Sequence, residues 1–144
     1  MSRPQPENRN AYNYFCDITT RWMDNDPYAH VNNVVYYSWF DTAVNGYLIE
    51  QDVLDIQSGD VIGLVVETSC QYFSSIAFPD RVCAGVRVSK LGRSSVRYEV
   101  GIFREDQIAA SAQGYFVHVY VDRKSQKPVT IPDNIRNALS KIQA

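Results

Sequence analysis

A single long helix pattern between stretches of strand-like sequence limits most strongly what this chain can fold into. From Asn32 or Asn33 to about Glu50, apolar residues recur at helical spacing, and a polar stripe lies opposite them. Asn32 is a suitable N-cap for this helix. Because one helix with so broad an apolar face needs a sheet to cover it, the pattern predicts a helix packed on a sheet. The apolar positions are Tyr36, Phe40, Ala43 and Tyr47, with Val44 and Leu48 beside them.

Strand patterns lie on both sides of the predicted helix. One strand is predicted over residues 12–23, and it must stop before Pro27, which cannot donate a ladder hydrogen bond. The order predicts an α+β fold in which an antiparallel sheet wraps around one long central helix. The later strands are predicted over 61–73, 81–89, 95–104 and 107–121, and a short helix over 132–142.

Length and composition fit one domain. The chain has 144 residues, of which 45% are hydrophobic. Residues 1–10 are polar and are predicted to form a flexible N-terminus, which leaves residues 11–144 as the single domain. The N-terminus lacks the apolar core of a signal peptide, and the longest strongly apolar run, 61–66, is too short to span a bilayer.

Charge and cysteine content narrow the choice of partners and compartment. The net charge of −2 argues against nucleic acid as a partner. Cys16, Cys70 and Cys83 form no C-x-x-C motif, and an odd count does not suit a disulfide framework. We therefore expect a cytoplasmic protein that uses neither a membrane nor nucleic acid.

The segment between the first strand and the helix carries the residues suited to chemistry. Asp24, Asp26, His30, Asn32 and Asn33 lie in a loop that leads into the helix N-terminus. Such a terminus presents unpaired N–H groups and the positive end of the helix dipole, so it can bind a developing oxyanion. A carboxylate beside it can attack a carbonyl or activate water, which suits acyl transfer or acyl hydrolysis.

The spacing Asp24-x-Asp26-x-x-x-His30-Val31-Asn32-Asn33-x-x-Tyr36 resembles the motif of hotdog-fold thioesterases of the 4-hydroxybenzoyl-CoA thioesterase-like and YbgC-like group. The resemblance covers nearly the whole chain. It implies a hotdog fold and the hydrolysis of an acyl-CoA to a free acid and CoA. It implies no metal and no cofactor, since CoA enters as part of the substrate.

The same resemblance implies roles for individual residues. Asp26 matches the catalytic carboxylate, which serves as nucleophile or general base. Asn33 falls at the helix start, where the family's backbone N–H polarises the thioester carbonyl. His30 matches a histidine that orients the carboxylate or water, with a structural hydrogen bond as the alternative, and Asp24 matches a position that shapes the loop. Tyr28 stands where plant acyl-ACP thioesterases carry an Asn, so their catalytic trio does not transfer.

A second region is predicted to bind CoA, and the family resemblance also implies self-association. The turn Gly92, Arg93, Ser94 and Ser95 lies near the pantetheine and nucleotide in the family, and Arg93 could meet a phosphate. The resemblance implies a homodimer or homotetramer with acyl sites between subunits. Residues 115–121 carry no Asp, Glu, Lys, Arg or Pro, so this strand must be covered or central to avoid aggregation.

Other functions and sites remain open. A non-catalytic acyl-CoA-binding hotdog protein would result if Asp26 were only structural. An enoyl-CoA hydratase of this fold fits less well, because His30 stands one residue too far from Pro27 for that group's G-D-x-N-P-x-H pattern. A metal site at Asp24, Asp26 and His30 lacks a further ligand nearby, and His118 is expected to be a packed strand residue.

Overall fold

The computed structural model describes residues 4–55 and 57–144. Short 3₁₀ helices at Arg9–Ala11 and Trp22–Asp24 accompany five strands and two α-helices. These elements confirm the predicted α+β class. They are β1 (Tyr14–Thr19), α1 (Asn33–Glu50), β2 (Val61–Tyr72), β3 (Arg81–Leu91), β4 (Ser95–Arg104), β5 (Ala112–Asp122) and α2 (Asp133–Ser140).

The five strands form one antiparallel sheet in the order β1-β3-β4-β5-β2. β5 lies between β4 and β2, so the uncharged segment 115–121 is central and has no free edge. β1 and β2 are the two edges. On β2, the consecutive residues Leu64, Val65 and Val66 are 37%, 48% and 60% exposed. The long edge strand of the single chain is therefore both unpaired and apolar.

Helix α1 packs on one face of this sheet. The Asn32 side chain accepts a hydrogen bond from the Val34 N–H and so caps the helix as predicted. All six predicted apolar positions are buried, and Trp39 joins them. The sheet covers them with alternate residues of its strands, among them Val82, Ala84, Val86 and Val88 of β3 and Val96, Tyr98, Val100 and Ile102 of β4.

Two predicted strand boundaries were wrong for identifiable reasons. The first strand ends at Thr19 rather than at residue 23, because Trp22–Asp24 forms a 3₁₀ turn closed by the Asp24 carboxylate. The last strand begins at Ala112 rather than at residue 107. The residues before it pair with the N-terminal segment instead, through Ala109 opposite Asn8 and the Ala110 N–H bonded to the Glu7 carbonyl.

Residues 5–12, called the strap below, lie on the sheet face opposite α1. Gly85 and Gly101 are paired in β3 and β4, and the Tyr12 ring fills the space above both. A Cβ atom added to either glycine would lie 2.9 or 2.8 Å from Tyr12. The Arg9 guanidinium donates to the carbonyl oxygens of Arg104 and Gln107. The flexible N-terminus over residues 1–10 stays a prediction, and residues 1–3 of it lie outside the described residues.

Candidate active site

Asp24 anchors the loop between β1 and α1. Its side chain is 1% exposed, and its carboxylate accepts hydrogen bonds from the backbone N–H, Nε and Nη2 of Arg21 at 2.8, 3.0 and 2.8 Å. Its backbone carbonyl accepts from the Asn32 N–H at 2.8 Å. Asp24 therefore holds the residue that caps α1, and its carboxylate is occupied by these contacts.

Asp26 is held by a tight turn of its own loop. Its Oδ1 accepts from the N–H groups of Tyr28 and His30 at 2.9 and 3.3 Å, and its backbone N–H donates to the His30 carbonyl at 2.8 Å. Ala29 closes this turn with φ at 62°, in the left-handed region that disfavours a residue with a side chain. Oδ2 of Asp26 makes no hydrogen bond with any described residue, so it is available to a substrate or water.

His30 acts on Asp26 through its backbone. The bond to the Asp26 carboxylate comes from the His30 N–H, whereas the imidazole makes no hydrogen bond within the described part of the chain. The side chain is exposed at the rim of the loop. Backbone N–H groups therefore orient the Asp26 carboxylate, and the predicted role of the His30 ring toward the carboxylate or water stays a prediction.

The first turn of α1 leaves one N–H group free. The Val34 N–H is capped by Asn32 Oδ1 at 3.1 Å, and the Val35 N–H bonds the Asn32 carbonyl at 2.9 Å. The Asn33 N–H donates no hydrogen bond to a described residue. It lies at the positive end of the helix dipole and can stabilise an oxyanion.

One cavity of about 380 Å³ brings the three predicted catalytic residues together. Asp26, His30 and Asn33 line it on one side. The opposite side comes from the end of β2 and the residues after it, which the Val31 N–H fastens to the loop by donating to the Ile76 carbonyl at 2.7 Å. Sequence patterns could not indicate this long-range contact. The remaining lining residues are Val31, Tyr36, Tyr72, Phe73, Ser74 and Ser75.

The aromatic side of the cavity is neutral. The rings of Tyr36 and Tyr72 meet edge to face with centroids 5.0 Å apart. Burial raises the pKa of Tyr36 to about 12 and raises that of Tyr72 further. Burial also raises the pKa of the neighbouring Cys70 thiol to about 11. Near neutral pH, these groups donate hydrogen bonds as uncharged species and supply no thiolate nucleophile.

The predicted CoA-binding turn lies at the opposite end of the sheet in the single chain. Ser95 pairs with Val119, which pairs with Leu64 of β2, whereas Tyr72 stands eight residues further along that strand. At the rise of an extended strand this separation is about 26 Å. Gly92, Arg93, Ser94 and Ser95 therefore do not join Asp26 within one chain. Nη2 of Arg136 holds the turn through the carbonyls of Gly92 and Arg93, and the Arg93 side chain stays exposed.

The family profile of the thioesterase-like superfamily matches residues 20–139. This match begins just before the Asp24 loop and extends into α2. The chain belongs to the thioesterase-like superfamily. Membership supports hydrolysis of an acyl thioester as the class of reaction, and all residues that line the Asp26 cavity fall within the matched range.

Solved structures confirm the hotdog fold for this superfamily member. The PA5185 protein from Pseudomonas aeruginosa strain PAO1 is 57% identical, with 98% of each chain covered and a TM-score of 0.94. A DHNA-CoA thioesterase from Staphylococcus aureus is 22% identical, with 89% of each chain covered and a TM-score of 0.80. The YsmA protein of Bacillus subtilis strain 168 is 22% identical over 140 residues, or 96% of this chain and 93% of YsmA.

Residues 4–55 and 57–144 contain neither a membrane-spanning helix nor a cluster of metal ligands. None of the helices there has both the length and the apolar character needed to cross a membrane. In the same part of the chain, no three or more His, Cys, Asp or Glu side chains are grouped so that they could hold a metal ion. Cys16, Cys70 and Cys83 are all free thiols.

Proposed function

We propose that this protein is an acyl-CoA thioesterase that hydrolyses its substrate to a free acid and CoA. One observation carries the proposal: the free Oδ2 of Asp26 and the free N–H of Asn33 belong to residues that line the same cavity. The first group can activate or deliver a nucleophile, and the second can stabilise the oxyanion that forms at the thioester carbonyl.

Two chemical routes suit this pair of groups. With Asp26 as general base, its carboxylate takes a proton from water, and the oxygen attacks the thioester carbonyl. The oxyanion of the tetrahedral intermediate accepts a hydrogen bond from the Asn33 N–H. The C–S bond then breaks to release CoA, whose sulfur takes up a proton. With Asp26 as nucleophile, Oδ2 attacks instead and forms a mixed anhydride, which water hydrolyses after CoA has left.

His30 enters this scheme through its ring. The imidazole lines the cavity and is not engaged with other described residues, so it can bind the attacking water or pass a proton to the departing sulfur. The carboxylate itself is oriented by backbone N–H groups. We therefore propose that loss of the His30 ring slows turnover less than loss of the Asp26 charge.

CoA binding at Gly92, Arg93, Ser94 and Ser95 requires a second subunit. We propose that two chains pair their β2 edges antiparallel about a two-fold axis near Val66, which covers the exposed apolar run on that edge. Such pairing brings Tyr72 of one chain near Asp60 of the other. Asp60 lies at the end of the sheet where the other chain carries its turn of Gly92, Arg93, Ser94 and Ser95. The minimal active unit would be a homodimer, and two dimers would form a homotetramer. The three free thiols suit a cytoplasmic location.

The test is release of free thiol from a panel of acyl-CoA thioesters by the wild-type protein and by Asp26→Asn. The substitution keeps the side-chain shape and removes the charge, so kcat should fall about 100-fold or more. Turnover by Asp26→Asn at the wild-type rate would overturn the assignment. Binding without hydrolysis would identify an acyl-CoA-binding protein instead, and hydration of an enoyl-CoA, followed by its absorbance, would identify a hydratase.

Single-turnover hydrolysis in heavy-oxygen water identifies the nucleophilic route when water attacks the Asp26 side-chain carbonyl of the anhydride. If Asp26 acts as nucleophile, hydrolysis of the mixed anhydride at the side-chain carbonyl leaves one labelled oxygen in Asp26, which mass spectrometry of the peptide detects. If it acts as general base, the label appears only in the released acid.

A further inference from the structure

Asn25 stands between Asp24, which anchors the loop before α1, and Asp26, the proposed catalytic residue. Its side chain leaves this loop, and its Oδ1 accepts a hydrogen bond from the backbone N–H of Phe78 at 3.1 Å. Phe78 lies between β2 and β3, 53 residues further along the chain. The roles of the two carboxylates do not account for this contact, which joins the catalytic loop to a distant segment.

The contact is one half of a clasp, formed by Asn25, Val31, Ile76 and Phe78, at the base of the Asp26 turn. Asn25 and Val31 lie opposite each other as an isolated antiparallel bridge, and the turn that carries Asp26 lies between them. The Val31 N–H donates to the Ile76 carbonyl at 2.7 Å, and the Phe78 N–H donates to Asn25. Both ends of the turn are therefore fixed to one short segment after β2.

The same segment continues the opposite wall of the Asp26 cavity. Residues 73–75 line that wall and directly precede Ile76, which is 1% exposed. The first two of these residues donate their N–H groups to the Ser111 carbonyl at 2.8 and 3.1 Å, which fixes the wall to the sheet. Because Asp26 lies on the other side of the cavity, the clasp determines how the carboxylate is placed relative to this wall.

Asn25 supplies the contact of the clasp that a substitution can remove. Val31 and Ile76 meet through main-chain atoms, which most substitutions would retain. The Trp22 ring also meets the Phe78 ring edge to face with centroids 6.1 Å apart, but Trp22 is 77% exposed. A hydrogen bond to the Asn25 amide oxygen is a more directional constraint than this ring contact.

We propose that Asn25 is a positioning residue for hydrolysis, which sets the place of the Asp26 carboxylate relative to a substrate held against the opposite wall. It acts through the Phe78 N–H and touches neither the thioester nor the attacking water. This inference rests on the proposed thioesterase function and adds a residue to it. A misplaced carboxylate lowers the rate of the chemical step without weakening substrate binding, so the effect falls on kcat rather than on KM.

The experiment measures kcat, KM and Tm for Asn25→Leu and Asn25→Asp with one acyl-CoA ester that the wild type hydrolyses, at about pH 8, where an aspartate side chain is ionised. Leucine keeps the branched shape and removes the acceptor. We therefore expect kcat to fall about three- to tenfold and KM to stay within about twofold. Aspartate restores an acceptor of the same shape, so kcat should return to within about twofold of the wild type.

Gln113→Met is the matched control. Gln113 Oε1 accepts from the Glu7 N–H at 2.7 Å, so it is also an amide oxygen bonded to a distant backbone N–H, but it joins β5 to the strap. Its loss should lower Tm about as much as Asn25→Leu does and leave kcat within about twofold. If Asn25→Leu does not fold, Asn25→Ala takes its place, since it removes the acceptor and adds no large apolar group.

A fall in kcat that is specific to the variant without an acceptor at position 25 supports the inference. Wild-type kcat in Asn25→Leu would overturn it, and so would an equal loss in Asn25→Asp or in Gln113→Met. Each of these results leaves the thioesterase function intact. Failure of the wild type to hydrolyse any thioester would overturn the proposed function itself, and this inference with it.

Discussion

The Tyr72 hydroxyl donates a hydrogen bond to the backbone carbonyl of Asn33 over 3.0 Å. This contact joins the end of the edge strand to the first residue of α1. The N–H of Asn33 is the free donor of the Asp26 cavity. The position of this proposed oxyanion donor therefore depends on β2, which lies far from Asn33 in the sequence.

Tyr72→Phe should lower kcat by about three- to tenfold, because the first turn of α1 loses one of its anchors. Tyr14→Phe is the matched control, since its hydroxyl bonds Glu50 Oε2 at the opposite end of the same helix. Steady-state kinetics with one acyl-CoA ester measures both variants. Equal losses in the two would mean that the Tyr72 hydroxyl acts only through general helix stability.

Asp24→Asn should lower stability more than it lowers activity. The buried carboxylate accepts three hydrogen bonds from Arg21. In the Asn variant, the side-chain NH₂ group would face N–H groups of Arg21 and could not accept their hydrogen bonds. We expect the free energy of unfolding to fall by about 1–3 kcal/mol in urea titrations. The exposed Asp17, changed to Asn, should have almost no effect on stability. A loss of kcat as large as that of Asp26→Asn would assign Asp24 to the chemistry.

Arg93→Ala should raise KM for an acyl-CoA far more than KM for a truncated thioester without the nucleotide. The exposed guanidinium is proposed to bind a phosphate, which only the full substrate carries. Arg104→Ala, at the other end of β4, should affect neither substrate. Similar changes for the full and truncated substrates would locate the nucleotide elsewhere.

Val66→Lys should convert the protein to a monomer, because it introduces a charge into the apolar edge proposed to pair with a second chain. Light scattering at micromolar concentration measures the mass, and turnover should fall with it if the partner's turn completes the site. Ile108→Lys, at an exposed apolar residue between β4 and β5, should preserve both mass and activity. A fully active wild-type monomer would contradict the shared site.

Gly101→Ala and Gly46→Ala should change stability in opposite directions. The added methyl at Gly101 meets the Tyr12 ring at 2.8 Å, and overpacking of this kind costs about 1–3 kcal/mol. The methyl at Gly46 meets nothing within 4 Å and improves helix propensity by about 0.5–1 kcal/mol. Thermal unfolding measures both. A stabilising Gly101→Ala would show that the strap readily leaves the sheet.

Local patterns were sufficient to predict the helix, the strand alternation and the grouping of Asp26, His30 and Asn33. Each of these features depends on residues that are close to one another in the sequence. The apolar stripe of α1 was predictable because burial selects side chains at helical spacing. The loop residues were predictable as a group because they are neighbours in the chain.

Contacts between distant segments were not predictable from one sequence. Tyr72 reaches the cavity only because β2 is added next to β5, and nothing in the residues of β2 indicates its place in the strand order. The strap was missed for a related reason. It has few apolar residues, so its sequence resembles a polar tail. The space that receives Tyr12 is formed by two glycines about seventy and ninety residues later in the chain.

The Gly85–Gly101 socket also affects how this sequence can vary over evolution. The residues at positions 12, 85 and 101 constrain one another, because the Tyr12 ring and a side chain at either glycine cannot occupy the same space. A relative without an aromatic ring at this position would escape the condition and could carry ordinary strand residues at both sites. Loss of the aromatic ring and gain of side chains at the two glycines should therefore occur together across the superfamily.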